Sequence, residues 1–599
     1  MKLRWPKHPR VITGVAIGLV TLSIYLTPHR GHETADSIPT RLIPVLLLTQ
    51  GNLDFDAYLA SFDRKFPRID QHFYFLRKIG AHYVSFFPVA PGILLTPLYA
   101  PFVLYHQAQH PSPDEWLAFA DRAERIAAPG IASLSVVLLY AILICMGASP
   151  ARASVLSVIY AFGTNVFSNF AQHLWQHGFC AVFVEAAILV ALLRRNRAGW
   201  WQFLFIGGLL GIATGCRPTT IAIASVVLVW VAEWRKERLI HLATGFAIVF
   251  APIAIYNYQT YGSLFGGYQS RLAYATLIGH HQPLLSVWKS ISEQGAIFLA
   301  LLVSPGRGVL FYFPLGIVSI FGLYIALKRR DAWASLYIWL AVGALVHVFL
   351  VWLSTRNYDW VGGHSWGPRY LSEVEFVLVI MLLPALQEAR TAITPSLVAS
   401  LAVVSIFIQV VGVYAFSDWN SWPIEIRQLP SRVWWWRDNP VSRALGRRPV
   451  IHELISHGTV QTSPLKLVAA VPSRRVRAQH QDALLMHVPS ELQFVVPDRA
   501  TYVFGSFGFV PGAYRNGGAT KGAEFRVSWV QANEEVELFR RFVNPSEVPG
   551  DRRLRSFAER LPDKPGGRVV FQINPGRSKD TSWGWTVWTD VGLLTDEVR

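Results

Sequence analysis

Residues 126–148 read IAAPGIASLSVVLLYAILICMGA, 23 consecutive positions without a charged side chain. Coiled as an α-helix, that stretch is about 34 Å long, enough to cross roughly 30 Å of hydrocarbon. Lipid leaves only a helix or a closed barrel able to satisfy the backbone, and a continuous apolar run without alternation fits the helix. Working outward, eleven such spans begin near Val11, Ile126, Arg152, His177, Trp200, Pro218, Leu239, Arg307, Trp333, Leu371 and Ala392, the last ending near Phe416. Composition agrees. Of 599 residues, 52% are hydrophobic and 16% charged, against about 25% charged in ordinary soluble proteins. A soluble enzyme, a disordered chain and a collagen-like chain are excluded. Three cysteines, Cys145, Cys180 and Cys216, lie inside apolar runs, so a disulfide scaffold and a cysteine-built metal cluster are excluded as well. The net charge of +17 then serves to orient the chain and to hold anionic lipid head groups, with nucleic acid not expected as a partner.

Basic residues order the connections. RRNR at 194–197, WRKER at 234–238 and KRR at 328–330 mark the cytoplasmic side. The N-terminus belongs there too, because the basic stretch before Val11 is not followed by a small-residue cleavage site. The chain after the last span is external. His82 to His106 is apolar enough to cross, yet a crossing would invert the later clusters. It also carries Pro88, Pro91, Pro97 and Pro101, so it is expected to be a broken re-entrant or interfacial element. Beyond Phe416, alternating stretches such as EFRVSWV (524–530) and RVVFQI (568–573) between Gly, Pro and Asn mark a soluble β domain. The expected fold is a polytopic α-helical membrane domain over 1–416, with a first external loop at 28–82, and a C-terminal β-sandwich over 451–599. An aromatic linker over 417–450 holds Trp434, Trp435 and Trp436, suited to a membrane interface.

Polar residues gather on the external side. Asp36, in ADSIPTR (35–41) with Arg41, follows the first span and precedes an amphipathic stretch that suits an interfacial helix. A partly desolvated carboxylate there gains basicity, which suits a general base; the structural alternative is a helix N-cap, with Asp54 and Asp56 as solvated loop acids. QHLWQH (172–177) sets His173 and His177 on one face if helical, with Gln176 beside them. Such a pair can hydrogen-bond a phosphate or sugar, or begin a metal site that lacks a third ligand. In YDWVGGHSWGPRYL (358–371), the glycines let backbone amides approach a ligand near His364, and Arg369 sits at the membrane boundary beside Tyr370. A guanidinium held there stabilises a departing phosphate, or else snorkels to head groups. Tyr256 and Asn257 open another external loop. Arg217 precedes Pro218 at a helix start, which explains itself structurally.

The order of these features resembles the GT-C polytopic glycosyltransferases, in particular bacterial members related to protein O-mannosyltransferases and aminoarabinose transferases. It runs from an apolar first helix through Asp36 and about fifteen interfacial residues to GNL (51–53) and FPVAPG (87–92), and GHSWGPRY (363–370) is similar to a Gly-x-x-x-Gly-Pro-Arg-Tyr run of such proteins. The resemblance implies a multi-pass protein of the bacterial inner membrane that moves a sugar from a polyprenyl-phosphate donor to a glycan, lipid or protein acceptor, inverting the anomeric centre. Asp36 would be the catalytic base. The family's second acid is replaced by Ser37, leaving Asp54 or Asp56 to supply that carboxylate. Arg369 with His364 or His177 would hold the phosphate, and Arg41, His173, Gln176, Tyr256, Asn257 and Tyr370 would contact substrate. No cofactor is required beyond an optional divalent cation. The competing reading is a flippase or transporter for lipid-linked sugars whose C-terminal module binds carbohydrate. GSFG (505–508), GGAT (517–520), EF (524–525) and WGW (583–585) resemble jelly-roll carbohydrate-binding modules, although core packing is the expected role of these tryptophans.

Overall fold

The computed structural model describes residues 8–27, 34–66, 73–193, 199–267, 291–355, 360–388, 394–426, 429–479, 481–576 and 579–598. The basic cluster at 194–197, Tyr358 and Asp359, and positions 268–290 of the loop after Tyr256 lie outside the described residues. The chain forms two compact units, one reaching Ser417 and the other starting at Asp418.

In the first unit, α1 (His8–Tyr25) leads to α2 (Ile38–Gln50), α3 (Leu59–Lys65), a hairpin of β1 (Leu76–Ile79) and β2 (His82–Ser85), and α4 (Ala90–Gln107). The bundle continues with α5 (Pro113–Cys145), α6 (Pro150–Gly163), a π-turn (Val166–Phe170), α7 (Gln176–Leu193), α8 (Trp200–Cys216), α9 (Ile221–Ala232) and α10 (Lys236–Tyr261). After α11 (Ile291–Val303) and α12 (Val309–Tyr312) come α13 (Gly316–Lys328), α14 (Ala334–Thr355), α15 (Glu375–Glu388) and α16 (Pro395–Tyr414). Among the described residues, six helices are long and apolar enough to cross a membrane: α5, α7, α10, α14, α16, and the stretch Arg369–Gln387, in which a 3-10 turn runs into α15. The chain is a multi-pass membrane protein. Backbones meet directly where α8 packs on α10: a Cβ added to Gly245 would stand 1.9 Å from the Leu204 carbonyl oxygen. Small residues allow that approach, and close packing drives association where lipid offers no hydrophobic gain.

Several spans differ from the sequence reading. The span expected from Ile126 starts at Pro113, because Ser112 and Glu115 form a capping box that extends the helix beyond its apolar part. The span expected from Arg307 is the pair α12 and α13. Arg307 itself is buried, donating to the carbonyls of Gly306, Val361 and Gly363. Residues 291–303, read as part of an external loop, are an apolar helix. Residues 82–106 form no broken re-entrant element: 82–85 are strand and α4 is continuous. Pro91 falls in its first turn, where an N–H would be unpaired anyway. Pro97 and Pro101, one turn apart, remove bonds from one side only, while α2 supports the helix at Gly92, where an added Cβ would lie 2.6 Å from Ile43. Leu98, Phe102 and Tyr105 leave it an exposed apolar face, as an interfacial helix requires.

The second unit opens with residues that are folded rather than a linker. Asp418–Asn420 and Pro430–Trp434 are 3-10 turns and Pro440–Ala444 is a short helix. Trp419 and Arg432 are fully buried, and Asp438 ties Arg432 (3.3 Å) to Arg443 (2.5 Å). Trp434 and Trp435 are half-buried and Trp436 is exposed. A β-sandwich of two antiparallel sheets follows. One orders β11 (Glu534–Val543), β10 (Ala523–Gln531), β13 (Arg568–Asn574), β8 (Ser490–Val495) and β5 (Lys466–Ala469). The other orders β12 (Arg555–Arg560), β9 (Ala500–Phe509), β14 (Trp585–Val598), β3 (Pro449–Ser456) and β4 (Thr459–Val460), with β7 (Gln481–His487) pairing β14 and β6 (Arg474–Ala478). Strand period decides the inner faces: Phe525 pairs Ile573 and Val527 pairs Phe571 in register, all four buried. Contacts of Phe507 with Phe525 (4.7 Å) and Phe571 with Trp588 (5.4 Å) close the core between sheets. The tryptophans divide. Trp529 and Trp588 are fully buried, whereas Trp583 and Trp585 stand 38% and 36% exposed, so the expected core role fails for that pair.

Candidate active site

Asp36 is placed by a local device. Thr34 caps the 3-10 turn Ala35–Ser37 by accepting the Asp36 N–H (3.3 Å), and Ser37, not Asp36, is the N-cap of α2. The Asp36 carboxylate is therefore unused by the helix end. Its Oδ1 accepts the Tyr74 hydroxyl at 2.9 Å, and its Oδ2 accepts Arg369 at 2.6 Å. The two ends of that ion pair are 333 residues apart, and their side chains are 17% and 11% exposed. Arg369 follows Gly367, whose φ of +61° suits glycine, and Pro368. Its guanidinium lies over Trp175 (4.7 Å) and beside Tyr370 (5.3 Å), ring faces that attract a cation. The partly desolvated carboxylate expected from the sequence is thus paired directly with a guanidinium.

Tyr370 connects this pair to a buried network. Arg217 lies 5.6 Å from the same ring and donates to the Tyr370 carbonyl (3.3 Å) and to Glu373 Oε2 (2.7 Å). Glu373 also meets His177 Nδ1 at 3.2 Å and His347 Nε2 at 2.9 Å. Arg217, His177, His347 and Glu373 are all buried. Four polar groups removed from water need each other, since an unpaired charge there is costly. Arg217, read as a simple helix start, holds the middle of this network.

The turn before α7 departs from expectation. The π-turn ends at Phe170 and α7 begins at Gln176, so His173 and His177 do not share a helix face. His177 joins Glu373, while His173 Nδ1 lies 3.9 Å from Glu124. Glu124, fully buried on α5, accepts the Leu174 N–H (2.8 Å) and pairs with Arg41 (2.5 Å), which also meets Asp121 (3.0 Å). Arg41 is thus tied to acids of α5. Glu124 fixes the backbone next to Trp175, the residue beneath Arg369. Gln176 is buried and His364 half-buried in the glycine-rich turn. Asn257 donates to the Leu264 carbonyl (3.1 Å), holding the turn after α10. Tyr256 packs edge-on against Tyr261, whose hydroxyl donates to Ser85 O.

Asp54 and Asp56 form a separate constellation with His82, their ligand-type atoms all within 4.8 Å of one another; Asp36 is not a member. His82 Nδ1 lies 2.7 Å from Asp56 and 3.6 Å from Asp54. The Asp56 hydrogen bond, then the Asp54 charge, hold the imidazole above its ordinary pKa.

Tyr74, Glu124, Trp175, His347 and Glu373 escaped the sequence reading. Two of them carried a signal: an ionisable residue inside an apolar helix is costly and rare, which marks His347 and Glu373, whereas Glu124 lies among the charged residues 121–125 ahead of the apolar run. Tyr74 and Trp175 carried none, because their importance comes only from what they touch.

No family model and no curated protein matches the sequence. Among solved structures, the arabinosyltransferase EmbB from Mycobacterium smegmatis aligns at 12% identity over 98% of this chain and 68% of that one, with a TM-score of 0.30. A two-domain fragment of Clostridium perfringens ZmpB, comprising CBM51-2 in complex with GlcNAc and INT domains, aligns at 10% identity over 22% of this chain, with a TM-score of 0.17; the alignment spans 30% of that chain. Likenesses this loose leave the chemistry to the chain's own residues.

Proposed function

We propose that this protein is a membrane glycosyltransferase of the GT-C type that moves a sugar from a polyprenyl-phosphate donor to a glycan, lipid or protein acceptor on the external face of a bacterial inner membrane. The observation that carries this reading is the Asp36–Arg369 pair, 2.6 Å apart and partly exposed, with Trp175 and Tyr74 at its sides. A carboxylate beside a guanidinium supplies both halves of an inverting displacement. The acceptor oxygen bonds to the anomeric carbon as its proton passes to Asp36. The bond from that carbon to the phosphate oxygen breaks, and its electrons leave with the lipid phosphate, which Arg369 holds as charge develops. Donor phosphate replaces Asp36 on the guanidinium and frees the carboxylate for the acceptor. Arg217 and Glu373 keep Tyr370 and its neighbour Arg369 in place.

Asp36→Asn keeps the shape and removes the base. In a deletion strain complemented with the variant, mass analysis of surface glycans should show transfer reduced by about 10²–10⁴-fold, with the protein still inserted in the membrane. Wild-type glycan in that strain overturns the assignment.

A further inference from the structure

Among the described residues outside the Asp36 site, Asp54, Asp56 and His82 have the composition and geometry of an ion-binding centre. Asp54 and Asp56 flank Phe55, whose side chain is fully buried. That anchor pins the strip between the two carboxylates to the core and leaves the acids half-exposed. The strip is locked to β2 from both sides: Phe55 N–H donates to the Tyr83 carbonyl (2.8 Å), and Tyr83 N–H donates to Asp56 Oδ1 (2.8 Å). This register delivers His82, the first residue of β2, to both carboxylates. Donors around a tetrahedral zinc stand roughly 3.3 Å apart when each bond is 2.0–2.1 Å. The His82 separations of 2.7 and 3.6 Å bracket that spacing, and all three donor atoms lie within 4.8 Å of one another. Charge points the same way, since two carboxylates face one imidazole and a dication neutralises what a single proton cannot. Calcium and magnesium favour all-oxygen shells, whereas an imidazole with two carboxylates suits zinc.

We propose that Asp54, Asp56 and His82 form a zinc site in the first loop, with three protein donors and a further position open to water or an anionic group. Bound zinc ties the 54–56 strip to the β1–β2 hairpin. The site goes beyond the transferase reading and does not depend on it.

The test uses the full chain purified in detergent, stripped with chelator and titrated with zinc chloride by calorimetry. Wild type is expected to bind one zinc that His82→Gln weakens about tenfold or more, and Asp56→Asn should do the same. Circular dichroism of each variant reports whether it is folded, and Asp63→Asn serves as a nearby acid control that leaves binding unchanged. Equal zinc binding by wild type and both variants overturns the proposal, as does calcium binding as tightly as zinc. Absence of saturable binding to wild type also overturns it, leaving the His82–Asp56 ion pair as a plain salt bridge. Because the titration reads zinc binding alone, a failure of the transferase assignment at Asp36 leaves its outcome unchanged.

Discussion

In the helical unit, Glu373 pairs with Arg217 and Glu124 with Arg41 at side-chain exposures of 9% or less. On the β-sandwich, Arg560 pairs with Asp563 and Lys564 with Glu534 at exposures from 49% to 81%. The same chemistry does different things in the two places. A buried pair exacts a large desolvation cost and is strongly disrupted when one partner is lost, so it holds its neighbours in one geometry. An exposed pair is screened by water and salt and holds little. In the helical unit the neighbours so held are the backbone at Leu174 and Tyr370, on either side of Arg369. The sandwich instead relies on the Phe507, Phe525, Phe571 and Trp588 cluster.

Three substitutions probe that contrast. Glu373→Ala removes the carboxylate but leaves Arg217 and its two histidine neighbours buried, and should cost about 3–5 kcal/mol. A fall in the thermal midpoint of detergent-purified protein, or in its folded yield, measures this; an unchanged midpoint would show the network to be as dispensable as a surface pair. Arg560→Ala should sit at the other extreme, below about 0.5 kcal/mol. A loss of several kcal/mol there would erase the distinction between buried and exposed pairs.

The smallest effect concerns Glu559, half-buried on β12, whose carboxyl is pushed above its ordinary range by burial. A carboxyl raised in the folded state is favourable while protonated. Its contribution is present below the unfolded pKa and is lost as pH climbs through the higher folded value. Glu559→Gln should therefore match wild type near about pH 3 and exceed it by a few tenths of a kcal/mol near about pH 8, read as the difference in thermal midpoints across pH. A variant less stable than wild type at the higher pH would reverse the sign and show a favourable partner for the ionised form.

The legible part of the candidate site was its ends. Asp36 and Arg369 stood out because a carboxylate just past an apolar span and an Arg after a Gly-Pro turn are conspicuous against lipid. Arg41, His173 and Asn257 were just as conspicuous, yet each is held by Glu124 or by a local carbonyl. Sequence spacing shows that a polar residue exists and cannot show whether a partner already occupies it. The prolines of α4 misled for a related reason: their cost is local, and the packing of α2 that offsets it is not.

Apolar runs and strand alternation fixed the membrane helices and the sandwich, because lipid and a half-buried sheet each impose a period that any stretch of chain displays without its neighbours. The resemblance put Asp36 and Arg369 in one site; tertiary structure alone decided that they pair directly, that Glu373 gathers Arg217 and two histidines, and that Asp54 and Asp56 turn to His82. Each of those contacts depends on where separate elements come to rest, and that position is set by summed packing over the whole unit rather than by the residues that touch.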